Sequence, residues 1–237
     1  MAKKAAARGP RTLSIDIGGT GLKMMVLDAR GRPLNERARV PTPRPATPAR
    51  VLRALRGLIK TQPRFDRVSA GFPGVVHGGV VHTAPNLDKA WQGYDLAKAL
   101  RLATRKPARV ANDADVQGLG NISGKGVEMV LTLGTGLGSA LFVDGDLVPN
   151  LELGHHPFRN GDTYEDQVGR TALEKVGKRR WRKRVRLMIE QLEPIFNFRM
   201  LYLGGGNARH VKQASLPKNV KITSNEAGVL GGIALWR

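Results

Sequence analysis

The 237-residue sequence contains no cysteine. A disulfide framework, a thiolate metal site and a thiol nucleophile are therefore excluded, and any metal chemistry must use oxygen ligands or histidine. The same absence suits a reducing cytosol. No apolar run approaches the ~18 residues needed to cross a bilayer, and Met1 to Pro10 has lysines and arginine but no apolar signal-peptide segment. This opening stretch reads as a tail on a soluble, cytoplasmic protein. Acidic residues are in short supply, with 19 Asp+Glu against 39 Lys+Arg for a formal charge of +20. A field of that sign attracts polyanions: nucleic acid as the general partner, then an anionic membrane, then a long phosphate polymer. Composition does not choose among them, and a solvated basic surface would account for the same charge.

What is present is a globular chain with 41% hydrophobic residues, enough for one large core or two small ones. Apolar strands at Thr12 to Ile17 and Leu22 to Leu27 flank Gly18-Gly19-Thr20-Gly21, a hairpin with a glycine-rich tip. Four prolines between Pro41 and Pro48 forbid a helix there. Thr47-Pro48 then starts one that runs to about Thr61, with Val51, Leu52, Leu55, Leu58 and Ile59 on its buried face. Short strands are expected around Arg67 to Ala70, Val75-Val76 and Val80-Val81, a helix over Asp95 to Ala103, and a strand at Ala108 to Ala111 that runs into Asn112-Asp113. The opening pattern then recurs, with strands at Val127 to Leu133 and Ser139 to Val143 around Gly134-Thr135-Gly136-Leu137-Gly138. Arg170 to Arg186 reads as a basic helix interrupted at Gly177, with Trp181, Val185, Met188, Ile189 and Leu192 on one face. Met200 to Leu203 reads as a strand ending in Gly204-Gly205-Gly206, Asn207 as the start of another helix, and Glu226 to Trp236 as a last one. Interleaved strands and helices predict an α/β fold.

Each glycine turn offers backbone N–H groups without intervening side chains, and the first adds Asp16, Thr20 and Lys23; these are the parts of a phosphate cradle. A single such loop is usually only a turn requirement. Neither matches a P-loop or a dinucleotide fingerprint. Asp16 suits the hydration shell of Mg²⁺, which favours oxygen ligands, and Asp113, just past a strand, suits a general base. An ordinary strand-end aspartate and an Asn-Asp turn are the bland alternatives. Glu152 and His155 suit recognition of a polyol, whereas a zinc reading of His155-His156 is poor because adjacent histidines point apart.

Taken in order, Asp16 to Gly21, Thr42 to Pro48, Phe72-Pro73-Gly74-Val75-Val76, Asn86 to Trp91, Asn112 to Asp115, Leu131 to Gly136, Glu152-Leu153-Gly154-His155 and Gly204 to Gly206 resemble the ROK family of sugar kinases and repressors. They are most similar to its branch of polyphosphate glucokinases, from about Leu13 to the C-terminus. The resemblance implies an actin/hexokinase-like fold of two RNase H-like halves with a central cleft, one half spanning 1–112 plus about 226–237 and the other 113–225. It implies Asp113 as catalytic base for the sugar 6-hydroxyl, with Asn86, Asn112, Glu152, His155 and Glu165 as sugar contacts. The phosphoryl donor would lie against Asp16, Gly18, Gly19, Thr20, Lys23, Gly134, Thr135, Gly136 and Gly204 to Gly206, with Mg²⁺ held indirectly through Asp16 and no zinc. The expected partners are a glucose-type hexose, inorganic polyphosphate or ATP, and a second copy in a homodimer, without a membrane or specific nucleic acid. Lys178, Arg179, Arg180, Arg182 and Lys183 form the candidate wall of a polyanion groove, the alternative being a solvated helix face. A strictly ATP-dependent hexokinase is the alternative activity, and a catalytically inactive nucleic-acid-binding or regulatory protein the alternative class. Departures stand out: the cysteine-rich zinc motif of many ROK proteins is missing, as in the polyphosphate branch, and no DNA-binding domain fits before Leu13. His156-Pro157-Phe158-Arg159 also replaces the acidic or polar run expected after His155, which leaves glucose against mannose open.

Overall fold

The computed structural model describes residues 9–223 and 231–236, so the tail expected before Gly9 and the expected helical residues Glu226 to Leu230 lie outside it. The chain divides into two compact units, Met1–Val116 with Gly228–Arg237, and Gln117–Ala227.

In the first unit, β1 (Thr12–Ile17), β2 (Gly21–Leu27) and β3 (Ala38–Pro41) form an antiparallel meander, and β4 (Arg67–Phe72) and β7 (Ala108–Asn112) extend it in parallel, giving the order β3-β2-β1-β4-β7. Between them lie α1 (Pro48–Ile59), the small hairpin β5 (Val76–His77) and β6 (Val80–Val81), and α2 (Leu96–Thr104); α3 (Asp113–Leu119) follows β7 without a break. β1 and β4 are almost wholly buried, polar positions such as Ser14 and Ser69 included, because they are covered on both faces. Leu13, Ile15, Ile17, Val68, Ala70 and Phe72 meet the apolar stripes of α1 and α2 and the buried Trp91. The C-terminal turn Gly231–Trp236 packs on β1 and β4, its Gly232 carbonyl accepting from Ser69 Oγ at 2.5 Å and Trp236 Nε1 donating to the same hydroxyl at 2.8 Å.

The second unit repeats the plan. β8 (Val127–Leu133), β9 (Leu137–Val143) and β10 (Asp146–Val148) form the meander, and β13 (Met200–Gly204) and β14 (Val220–Ile222) the parallel extension, in the order β10-β9-β8-β13-β14. Between the two groups lie the hairpin β11 (Pro157–Arg159) and β12 (Asp162–Thr163), α4 (Tyr164–Val168) and α5 (Arg170–Phe196). Trp181, Val185, Met188, Ile189 and Leu192 are all buried against Met129, Leu131 and Leu201, as the spacing on α5 predicted. Gly177 breaks α5 with φ 75° and ψ 159°, a conformation costly for any other residue.

Three local expectations change. The second strand of the repeat starts at Leu137 rather than Ser139. Asn112 ends β7 and Asp113 begins α3, so the alternative of an Asn-Asp turn falls away. Asn207 does not open an α-helix: Ala208–His210 is a single 3₁₀ turn, because Asn207 is drawn back onto the β8–β9 hairpin by its N–H to the Leu133 carbonyl and its side chain to Gly134.

Candidate functional site

The carboxyl ends of β1, β4 and β7 lie side by side, with Asp16 opposite Gly71 and Gly71 opposite Ala111. Ligands of open α/β sheets gather at such ends. Asp113 follows directly from β7, half-buried. Its position depends on Gly71, since a Cβ there would stand 3.2 Å from the Asp113 Cα. Asn112, buried, supplies the cap of α3: its Oδ1 accepts from the N–H of Ala114 at 2.8 Å and of Asp115 at 3.3 Å, while its Nδ2 donates to the Gly74 carbonyl at 3.1 Å. That amide fixes both the first turn of the helix and the Pro73-Gly74 bend. Its contribution is thus to aim Asp113.

The first glycine tip is closed by the Gly18 N–H donating to the Gly21 carbonyl at 3.0 Å, which leaves Gly19 and the exposed Thr20 beyond the strand ladder. Lys23 donates to Asp16 Oδ2 at 2.7 Å. The proline-rich run packs here: Thr42 Oγ1 donates to the Gly18 carbonyl, and Arg44 Nη2 to the Gly19 carbonyl at 2.8 Å. Asn86 borders the same tip, its Cβ 3.4 Å from where a side chain on Gly19 would begin. The sequence offered no physical reason to place Arg44 at the site; a run without regular structure conceals where its side chains land.

The second tip is gripped on three sides. Gly134 N–H closes it onto the Gly136 carbonyl at 3.0 Å, with Thr135 exposed at the apex. Asn207 Nδ2 donates to the Gly134 carbonyl at 2.8 Å, which ties the Gly204-Gly205-Gly206 loop to it. The N–H of Arg170, first residue of α5, donates to the Thr135 carbonyl at 3.1 Å. Glu165 Oε2 accepts from the Leu137 N–H at 3.0 Å and occupies the space that a side chain on Gly136 would need. Asn207 was missed as a separate feature because a side chain reaching across 73 residues has no local signature.

Glu152, Gly154 and His155 lie against the start of β9. Ser139 Oγ donates to the Leu151 carbonyl and accepts from the Leu153 N–H, and a Cβ on Gly154 would meet the Leu137 carbonyl at 2.6 Å. His155 Nε2 lies 3.6 Å from Glu152 Oε2. Burial pushes the Glu152 carboxyl above its ordinary range; His155 opposes that and Glu165 adds to it. The structure therefore gathers Glu152, His155, Glu165 and the second tip in one unit, and Asp16, Lys23, Asn86, Asn112, Asp113 and the first tip in the other.

The sequence profile of the ROK family matches residues 12–164. The chain belongs to the ROK family. Among its relatives, a polyphosphate glucokinase of Mycobacterium tuberculosis (strain CDC 1551 / Oshkosh) is 31% identical over 233 residues, covering 92% of this chain and 88% of that protein. The crystal structure of an inorganic polyphosphate/ATP-glucomannokinase from Arthrobacter sp. strain KM superposes with a TM-score of 0.86 at 34% identity, over 97% of this chain and 100% of that one. A ROK family glucokinase from Streptomyces griseus, solved with glucose and AMPPNP, shares the fold at a TM-score of 0.76 and 19% identity, over 95% and 99%. The actin-like fold of ROK sugar kinases is thus shared by this ROK protein, with five strands in each of its two mixed sheets. Among the described residues, no helix is long and apolar enough to cross a membrane.

The residues expected to wall a polyanion groove lie on the basic stretch of α5. Arg186 pairs with Glu190 at 2.8 Å, Arg184 donates to the Gln167 carbonyl at 3.4 Å, and Arg182 Nε donates to the His210 carbonyl. Lys178, Arg179, Arg180 and Lys183 are exposed.

Proposed function

We propose that this ROK protein is a glucokinase that transfers the terminal phosphoryl group of inorganic polyphosphate, or of ATP, to the 6-hydroxyl of glucose or a similar hexose. The observation that carries the reading is Asp113, held by the Asn112 cap and by close approach to Gly71 at the sheet end that also bears the first glycine tip. A nucleic-acid-binding or regulatory protein has no use for a base positioned in this way. The similarity to polyphosphate-using relatives over nine-tenths of the chain supports the donor, as does the formal charge of +20.

In this reading Asp113 accepts the proton of the 6-hydroxyl as that oxygen attacks phosphorus in line with the leaving chain. Asn86, Glu152 and His155 bind other hydroxyls, and Asn112 holds the base in place. The two glycine tips bind the donor through backbone N–H groups, with Lys23 adding positive charge. Asp16 offers one carboxylate, whose Oδ2 already accepts from Lys23, and among the described residues no group of three or more histidines and carboxylates could hold a metal. That donor set fits Mg²⁺, which keeps several waters and borrows phosphate oxygens. When bound, the ion would neutralise charge on the donor, with Asp16 reaching it through water.

The test is glucose 6-phosphate formation from glucose and Mg²⁺ with polyphosphate, ATP or neither, for the wild type and Asp113→Asn. Product with polyphosphate is expected, and the variant should lose at least ~10² in kcat while calorimetry shows glucose still bound. Product with ATP alone establishes the strictly ATP-dependent activity, and no product with either donor establishes the inactive protein. Near-normal turnover by Asp113→Asn would remove Asp113 as the base.

A further inference from the structure

Residues along an α-helix are about 100° apart, which turns Arg180 to the opposite side of α5 from Lys178 and Arg182. The bonds of Arg184 and Arg186 take those two side chains to other partners. Lys178 and Arg182, one turn apart, share a face. That face meets a second basic segment: Arg182 Nε donates to the His210 carbonyl, and Arg209 Nε donates to His210 Nε2 at 3.4 Å. Residues 209 and 210 end the 3₁₀ turn that follows the Gly204-Gly205-Gly206 loop, itself tied through Asn207 to the tip at Gly134.

Three cations and one histidine from two segments therefore converge. Their hydrogen bonds run to a carbonyl and an imidazole, which neutralise nothing, and among the described residues none of the four lies in an ion pair. Partial burial and the charges of Lys178, Arg209 and Arg182 all hold the His210 imidazole below its ordinary pKa, as expected inside a positive cluster. Like charges brought together cost Coulomb energy unless an anion joins them.

We propose that Lys178, Arg182, Arg209 and His210 form a subsite for the internal phosphates of a polyphosphate chain. The inference rests on the donor reading above and adds where the polymer lies beyond its reacting end. Arg209 is three residues from Gly206, at most ~11 Å of chain at about 3.6 Å per residue. The subsite is thus an extension of the donor loop that a long polymer reaches, whereas ATP carries only three phosphates and then a nucleoside.

The experiment compares the wild type with Lys178→Gln/Arg209→Gln, both exposed positions, using long-chain polyphosphate and ATP across a salt series. The double variant should show at least a tenfold higher KM for long-chain polyphosphate. Its slope of log KM against log salt should flatten by roughly 1.5, and its kcat/KM with ATP should stay within about twofold. An unchanged KM and slope for polyphosphate would overturn the subsite, as would an equal loss with both donors, which would mark the cluster as support for the donor loop. Failure of the wild type to use polyphosphate at all sinks the donor reading instead, and the subsite with it; thermal unfolding of the variant confirms that it is folded.

Discussion

Glu165 shows how one side chain can serve two neighbours. The family resemblance implied a sugar contact, and the structure adds a bond from its Oε2 to the Leu137 N–H, beside a glycine that leaves room for the carboxylate. Through that bond Glu165, a neighbour of Glu152, is tied to the second glycine tip. Glu165→Gln keeps an acceptor oxygen for the Leu137 N–H and should hold the donor KM within a few-fold. Glu165→Ala removes the acceptor, leaving an N–H that costs ~1–3 kcal/mol if it stays buried and unpaired, and should raise the donor KM about tenfold or more. Steady-state kinetics with both substrates varied reads the difference; equal donor KM values for the two variants would confine Glu165 to the sugar.

At the scale of elements, the turn entering β8 is organised around a fully buried carboxylate. Burial alone would raise the pKa of Glu128, but donors from the backbone of Ser123 and Lys125, the Ser123 hydroxyl and the Tyr202 phenol outweigh it and bring it down to about 2. Arg199 Nη2 lies 2.9 Å from the same carboxyl. Because the folded pKa is depressed, the stabilisation is present above the unfolded value near ~4.3 and is lost as pH falls from there through about 2. The shift corresponds to about 3 kcal/mol. Urea unfolding of the wild type should therefore weaken steeply between about pH 4.5 and 2. Glu128→Gln should be ~2–3 kcal/mol less stable at pH 7 and show a shallower acid dependence; an unchanged acid profile would mean that other carboxylates govern it.

Over the whole molecule, the first unit is assembled from two distant stretches of chain. Trp236 lies against the guanidinium groups of Arg67 at 5.0 Å and Arg109 at 4.7 Å, Arg109 also donates to the Leu235 carbonyl, and the indole N–H donates to Ser69. These contacts hold the C-terminal turn on the β1–β4 face opposite α1 and α2. Trp236→Ala should cost ~2–3 kcal/mol, less than a fully buried tryptophan because the ring is half-exposed. In a protein of this size that lowers the melting temperature by roughly 5–10 °C, followed by circular dichroism; a variant that melts with the wild type would show that the closing turn adds nothing to the sheet.

Much of this was legible in the sequence because it is local. Alternating and continuous apolar runs define the strands, glycines mark both hairpin tips, and the recurrence of strand, glycine turn and strand reveals the duplication. Asp113 stood out because it immediately follows a strand. Charge alone suggested a polyanion. Only the tertiary structure decided which groups act on which: that Asn112 is a helix cap, that Arg44 and Asn207 reach the glycine tips, that Glu165 holds Leu137, and that Arg182 meets His210. Periodicity reports how a residue sits on its own element, whereas these contacts join segments up to 73 positions apart, and their partners are set by how strands and helices pack.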